Sequence, residues 1–239
     1  MPGSLKTEAV VLRTMRYGEA DRILRLYTPH RGHVGAIAKG VRKAKSRFGG
    51  RLEPFFRLNL VLYEGRSDLL TVTSAETIEP HTRLRENMSA LEMASRACDA
   101  VGRLFDTPEP HPQVFHLLVN ELGLIDADPQ THATQANQLA FRLKLLLVAG
   151  LTPQLSGCAV CGEREHLSAY SGAAGGVVCG ACEGSGFPLT EEAHTFMVEA
   201  LGHPLAQAPT GGERTLRQVE RAISETVEHH ASVQLRAAA

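Results

Sequence analysis

The sequence predicts an α+β, multidomain protein: an N-terminal five-stranded OB-like β-barrel, a central and C-terminal α-helical bundle, and an inserted four-cysteine zinc ribbon. Three observations predict it. Short strand-like runs separated by turn residues fill positions 1–80, the hydrophobic period changes from two to about 3.6 after Pro80, and two C-x2-C pairs interrupt the later pattern. The expected boundaries are 1–80 for the barrel, 81–154 and 189–239 for the helical domain, and 155–188 for the ribbon. At 239 residues, with 43% hydrophobic and 21% charged content, the chain can bury a substantial core and is neither disordered nor collagen-like.

Glu8 to Thr14, Arg22 to Thr28 and Gly32 to Ala38 are strand-length and rich in Val, Ile, Leu, Tyr and Thr. Tyr17-Gly18-Glu19 and Pro29-His30-Arg31-Gly32 separate them as turns. Arg57 to Tyr63 and Leu69 to Ser74 follow, joined by a Gly-containing hairpin connection at Glu64 to Asp68. Five short strands so close together suit a closed barrel, because closure removes the unpaired edges of a small sheet.

Beyond Pro80, Leu84, Met88, Leu91, Ser95, Cys98, Gly102 and Phe105 alternate in steps of four and three, the stripe of one packed helix. Cys98 on that stripe is a small core residue. A second helix starts near Pro112, whose fixed φ suits the first helical position, and is expected to end at Gly123. A third runs from Thr134 to Ala149 with Leu139, Leu143, Leu146 and Leu147 on its buried face, Gly150 at its C′ position and Pro153 stopping it. Thr190 caps a helix with Glu191 and Glu192 in its first turn, and Gly202-His203-Pro204 ends it. A last helix spans Arg214 to His230 with Leu216, Val219, Ile223 and Val227 on one face.

Cys158-Ala-Val-Cys161-Gly and Cys179-Gly-Ala-Cys182 lie 17 residues apart. Each pair forms a turn that aims two thiolates at one point, and two such turns complete a tetrahedron around a single Zn2+. Gly162 and Gly180 provide the backbone freedom of these turns, and Leu167 to Tyr170 and Val177 to Val178 read as ribbon strands joined by a turn at Gly172 to Gly176. A dithiol redox pair needs only one C-x2-C, normally opening a helix. Four cysteine ligands leave no coordination position for water, so the zinc is structural.

Charge is unevenly distributed. Residues 1–80 hold 14 Lys or Arg against 8 Asp or Glu, net +6, whereas the remaining 11 and 18 give net −7. A basic first domain facing a polyanion follows, which makes the barrel an OB-fold nucleic-acid-binding domain. Between the third and fourth strands, Lys39 to Arg51 places six cations in 13 residues without an acid: Lys39, Arg42, Lys43, Lys45, Arg47 and Arg51. These would pair with phosphates, while the glycines let the loop follow a flexible strand. Phe48 is either a stacking residue or a loop anchor, and Tyr17 is equally ambiguous. Arg13, Arg16, Arg22 and Arg25 would extend the surface.

Walker-type, H-E-x-x-H and G-x-S-x-G motifs are missing, so neither an enzyme nor a nucleotide cofactor is expected. His229-His230 points to different helix faces, and Asp126 and Asp128 are expected to cap or turn the chain before Pro129. The longest apolar stretch, Leu145 to Leu151, is far too short for a bilayer, and no signal peptide is read at Met1 to Val10. An odd number of cysteines fits a reducing compartment, and the expected location is cytoplasmic.

Tyr17-Gly-Glu-Ala-Asp21-Arg22-Ile23, Thr28-Pro-His-Arg-Gly32 and Ala38-Lys39-Gly40-Val-Arg42-Lys43-Ala-Lys45-Ser46 resemble the N-terminal pattern of the bacterial RecO family of DNA repair proteins. The helical region interrupted by two cysteine pairs is similar to that family too. The resemblance implies a nucleoid-associated recombination mediator of the RecF pathway. It would bind single- and double-stranded DNA, anneal complementary strands and, with RecR, help load RecA onto strands coated by single-strand-binding protein. It carries DNA contacts onto Lys39, Arg42, Lys43, Lys45, Arg47 and Arg51, with Arg13, Arg22 and Arg25 beside them. Arg142 and Lys144 are candidate docking cations. The competing reading is a transcription-associated zinc-ribbon protein, but Arg164 is the only cation of residues 155–188, against Glu163, Glu165 and Glu183. A protein-binding scaffold would leave the basic loop unexplained.

Overall fold

Five strands open the chain in the computed structural model, which describes residues 3–238. They are β1 (Ser4–Tyr17), β2 (Asp21–Thr28), β3 (Gly32–Ala38), β4 (Arg57–Tyr63) and β5 (Leu70–Glu79). They close into a barrel in the order β1-β2-β3-β5-β4, antiparallel throughout except for β3 and β5. That order is OB-type. β1 is twice the expected length because it serves two neighbours: Ser4 opposes Tyr63 of β4 at one end, and Tyr17 opposes Asp21 of β2 at the other. A bulge between Val11 and Arg13 bends it from one partner to the next. Phe55 and Phe56 bond to Val11 at that bend, Phe55 N–H donating to Val11 O and Val11 N–H to Phe56 O.

Alternate residues point inward, as the strand period requires, so Leu24, Leu26, Ala36, Ala38, Leu58, Leu60, Leu62, Leu70 and Val72 fill the barrel. α1 (Thr82–Glu86), α2 (Met88–Leu104) and α3 (Pro112–Ala127) complete the first of two compact units, which reaches to Ala127. The single stripe expected from Leu84 to Phe105 is broken at Asn87, whose side chain accepts from Ala90 N–H and caps a new helix. This resets the phase. Leu84, Cys98 and Phe105 are buried as expected, but Met88 is 80% exposed and the inward face is carried by Ala90, Met93, Ala94, Ala97 and Val101. α3 runs through Gly123, whose φ is not positive, and continues to Ala127. Asp126 accepts from Leu84 N–H, and Asp128 accepts from Gln130 and Thr131 N–H.

The second unit begins at Asp128 and contains α4 (Pro129–His132), α5 (Gln135–Val148), α6 (Glu191–Gly202) and α7 (Glu213–Ala231). Thr134 and Thr190 cap α5 and α6, and Gly150 takes φ +71° just past α5. Leu139, Leu143 and Leu146 are buried as expected, whereas Leu147 is half exposed and Leu145 takes its place. α5 is enclosed on most sides, so a simple one-face pattern does not describe it. The ribbon strands β6 (Leu167–Ser171), β7 (Gly176–Cys179) and β8 (Phe187–Pro188) pair in the order β7-β6-β8. Among the described residues, no helix is long and apolar enough to cross a membrane.

Candidate nucleic-acid interface and metal centre

The cationic segment leaves β3 at Lys39 and is secured at both ends. Gly40 N–H donates to Asp21 Oδ1 at 2.7 Å and Arg42 N–H to Ala20 O at 2.9 Å, tying its start to the β1–β2 turn. Phe48 and Leu52, 1% and 0% exposed, descend into the barrel core. Burying a phenylalanine and a leucine stabilises a loop by several kcal/mol, so the segment is an anchored ledge and not the flexible loop expected from its glycines. Phe48 is therefore the anchor and is closed to stacking. At its exit, buried His81 lies with Nδ1 2.8 Å from Phe55 O.

Lys39, Arg42, Lys43, Lys45, Arg47 and Arg51 are all exposed. Among the described residues none of the six pairs with an acid. Arg47 donates to Val72 O at 3.3 Å and lies over the Phe48 ring, and Arg51 donates to the carbonyls of Arg47 and Phe48. These contacts orient two guanidinium groups without neutralising them.

The other arginines divide. Arg13 and Arg25 are exposed and directly opposite each other on β1 and β2, an arrangement of like charges that costs stability unless an anion lies between. Beside them, burial lowers the pKa of His33 and the positive charge of Arg25 lowers it further. Arg16 is exposed and opposes Arg22. Arg22 forms a 2.5 Å ion pair with Glu53, so its charge is already compensated. Sequence spacing did not reveal that pair, which bridges 31 positions. Tyr17, at the last position of β1, is 54% exposed.

The four cysteines converge in the second unit. Their sulfurs lie within 4.8 Å of one another, and those of Cys161 and Cys179 are 3.7 Å apart. A regular tetrahedron of sulfurs about 2.3 Å from one ion has edges of about 3.8 Å. The set fits a metal ion. Gly162 takes φ +82° in the first turn and its N–H donates to Cys158 O; Gly180, expected to do likewise, does not adopt a positive φ. Backbone N–H groups of Cys161 and Cys179 hold the Cys158 thiol down to about 6, whereas the thiols of Cys161 and Cys179 push Cys182 up to about 12. Cys161 is raised because its sulfur neighbours outweigh the Glu163 N–H. Crowded sulfurs resist carrying several negative charges together, a penalty that a bound dication removes.

The rest of the second unit supports this centre. Tyr170 Oη lies 2.5 Å from Thr226 Oγ1 in a buried contact with α7, His230 Nε2 is 2.8 Å from Gly172 O, and Arg221 covers the Phe187 ring. His230 is thus a structural contact. Of the two expected docking cations, Arg142 is buried, with Nη2 on Arg236 O at 2.6 Å, and desolvation lowers the pKa of Lys144. Burial withdraws Arg142 from any docking role.

Fold and centre define an OB-barrel protein with a helical C-terminal region that carries a four-cysteine ribbon. The chain belongs to the Recombination protein O family: the model of its N-terminal part matches residues 1–81, and that of its C-terminal part residues 85–238. It is similar to proteins named DNA repair protein RecO. The one from Rubrobacter xylanophilus is 36% identical over 91% of this chain and 89% of its own. That from Anaeromyxobacter dehalogenans is 36% identical over 95% and 91%, and that from Bifidobacterium longum 41% over 73% and 72%.

Proposed function

We propose that this chain is a non-enzymatic DNA-binding mediator of recombination and repair. It binds single- and double-stranded DNA, anneals complementary strands and, together with RecR, promotes RecA loading on strands coated by single-strand-binding protein. The observation that carries the reading is the anchored ledge of six exposed cations, none of them ion-paired among the described residues. Such a ledge screens the repulsion between two phosphate backbones and leaves base pairing to read the sequence, which needs no covalent step. Lys39, Arg42, Lys43, Lys45, Arg47 and Arg51 are the principal contacts, Arg13 and Arg25 lie beside them, and Arg22 contributes less because Glu53 compensates it. Family membership and the names of its relatives support the repair role. Cys158, Cys161, Cys179 and Cys182 hold one structural Zn2+, which braces the ribbon and takes no part in chemistry. The protein acts in the cytoplasm, at the nucleoid.

Strand annealing by the purified chain without nucleotide tests this. Replacing Arg42, Lys43 and Lys45 with glutamine should abolish annealing while circular dichroism stays native. With four to six phosphates neutralised, raising salt from about 50 to 200 mM should cost on the order of a hundredfold in single-strand affinity. A salt-independent interaction, or full annealing by the triple variant, would refute the reading.

A further inference from the structure

We infer that Tyr17 is a base-stacking platform beside the cationic ledge, so that the barrel grips an unpaired strand by a base face as well as by its phosphates. The inference rests on the ledge being a DNA contact and adds the feature that distinguishes single strands from duplex.

With Phe48 in the core, a stacking aromatic must come from elsewhere in the barrel. Among the described residues, Tyr17 and Tyr63 are its exposed tyrosine or phenylalanine side chains, at 54% and 41%. Tyr63 opposes Ser4, at the far end of the long β1. Tyr17 opposes Asp21, the residue whose carboxylate holds Gly40 N–H, and the turn it enters is tied through Ala20 O to Arg42 N–H. It therefore stands one ladder step from the start of the ledge. Gly18 follows with φ +54°, turning the chain sharply so that Tyr17 stays in the sheet. A ring fixed by a strand loses little freedom when a base covers it.

The face that Tyr17 shares is arranged for a strand. Outward positions of β1 read Arg13, Met15, Tyr17, and their β2 partners read Arg25, Ile23, Asp21. The aromatic is thus followed by a half-buried apolar step and then by the opposed arginines, about 13 Å away at 3.3 Å per residue. Phosphates can be held at the ledge and at Arg13–Arg25, with bases over the surface between. Asp21 is engaged by Gly40, and exposed Glu19 at the turn tip marks the edge of the favourable surface. A duplex offers no base face to Tyr17 within its stack, so the contribution is selective for unpaired strands.

The test uses the full chain with an oligo-dT strand and a duplex of equal length at one salt concentration. Base–aromatic stacking is worth about 1–3 kcal/mol per base, so Tyr17→Ala should weaken single-strand binding by about 5- to 150-fold. It should leave duplex affinity and the salt slope unchanged, and Tyr17→Phe should restore single-strand affinity. Because the sequence contains no tryptophan, Tyr17→Trp provides a lone tryptophan, excited selectively over the remaining tyrosines, whose emission saturating oligo-dT should quench. Equal loss for both DNAs, or no loss and no quenching, overturns the inference. If the native chain binds with the expected salt slope while Tyr17→Ala binds single strands equally well, only the stacking role falls. If the native chain binds neither DNA, the reading beneath it falls too.

Discussion

Phe48 decides whether the cations are carried on a rigid ledge or a mobile loop, and Phe48→Ala separates the two. The ring is 1% exposed and shares the barrel core with Leu52, Leu24, Leu70 and Val72. Truncating a buried phenylalanine costs about 3–5 kcal/mol, and the upper part of that range applies where walls cannot collapse. Here the walls are strands of a closed ladder, which resist moving inward. Loss of the aromatic face beneath Arg47 adds about 0.5–1 kcal/mol. Hydrogen exchange on the intact chain is the suitable assay, because its two units need not unfold together. Barrel amides that exchange through unit opening should speed up by between about a hundredfold and a few thousandfold, while amides of α5 and α7 hold. All six cations remain, so weaker DNA binding at a temperature where the barrel is folded measures lost positioning and not lost charge. An acceleration below about tenfold would refute the anchoring argument. Full DNA affinity alongside lost protection would refute the claim that anchoring organises the contact.

Replacing Arg13 with Glu turns the repulsion opposite Arg25 into attraction; the barrel should gain about 0.2–1 kcal/mol in urea unfolding while DNA affinity falls, and a change of the same sign in both would contradict the assignment. At Gly176 a Cβ would lie 2.3 Å from Gln154 O, so Gly176→Ala should open the bridge between those residues and cost about 1–3 kcal/mol, read as faster exchange at Val177 N–H. Metal affinity should rise with pH from about 6 upward, because Cys161 and Cys182 are held protonated by their sulfur neighbours and must lose protons to coordinate. Below about 6, protonation of Cys158 adds a further loss. Competition against a chromophoric chelator at pH 6, 7 and 8 checks this, and a flat profile would exclude thiolate coordination.

Much of the architecture is legible in sequence because it depends on short-range signals. Strand period, Pro112 at a helix start, Thr134 and Thr190 as caps and the C-x2-C spacing each act within a few residues, and the structure contains the corresponding elements. Misreadings occur where a distant partner decides. Met88 and Leu147 fit a helical stripe yet face solvent, because Asn87 starts a new helix at Met88 and the packing of α5 against both α6 and α7 turns Leu145 inward in place of Leu147. Gly123 has the composition of a helix end without the conformation, and β1 is long because two strands pair with it.

The candidate site divides along the same line. Chain order alone determined that six cations cluster without an acid and that four thiols are spaced for one ion, because both facts are local in composition. Tertiary structure decided which charges are available: Glu53 reaches Arg22 across 31 positions, Arg142 is buried against the chain end, and Arg13 opposes Arg25 through strand register. It also decided which aromatic is free, since Phe48 and Tyr17 look alike in sequence, but Phe48 joins the barrel core whereas Tyr17 faces outward at the end of β1. Coulomb energy and desolvation depend on distance and surrounding medium, and only folding sets these for residues far apart along the chain.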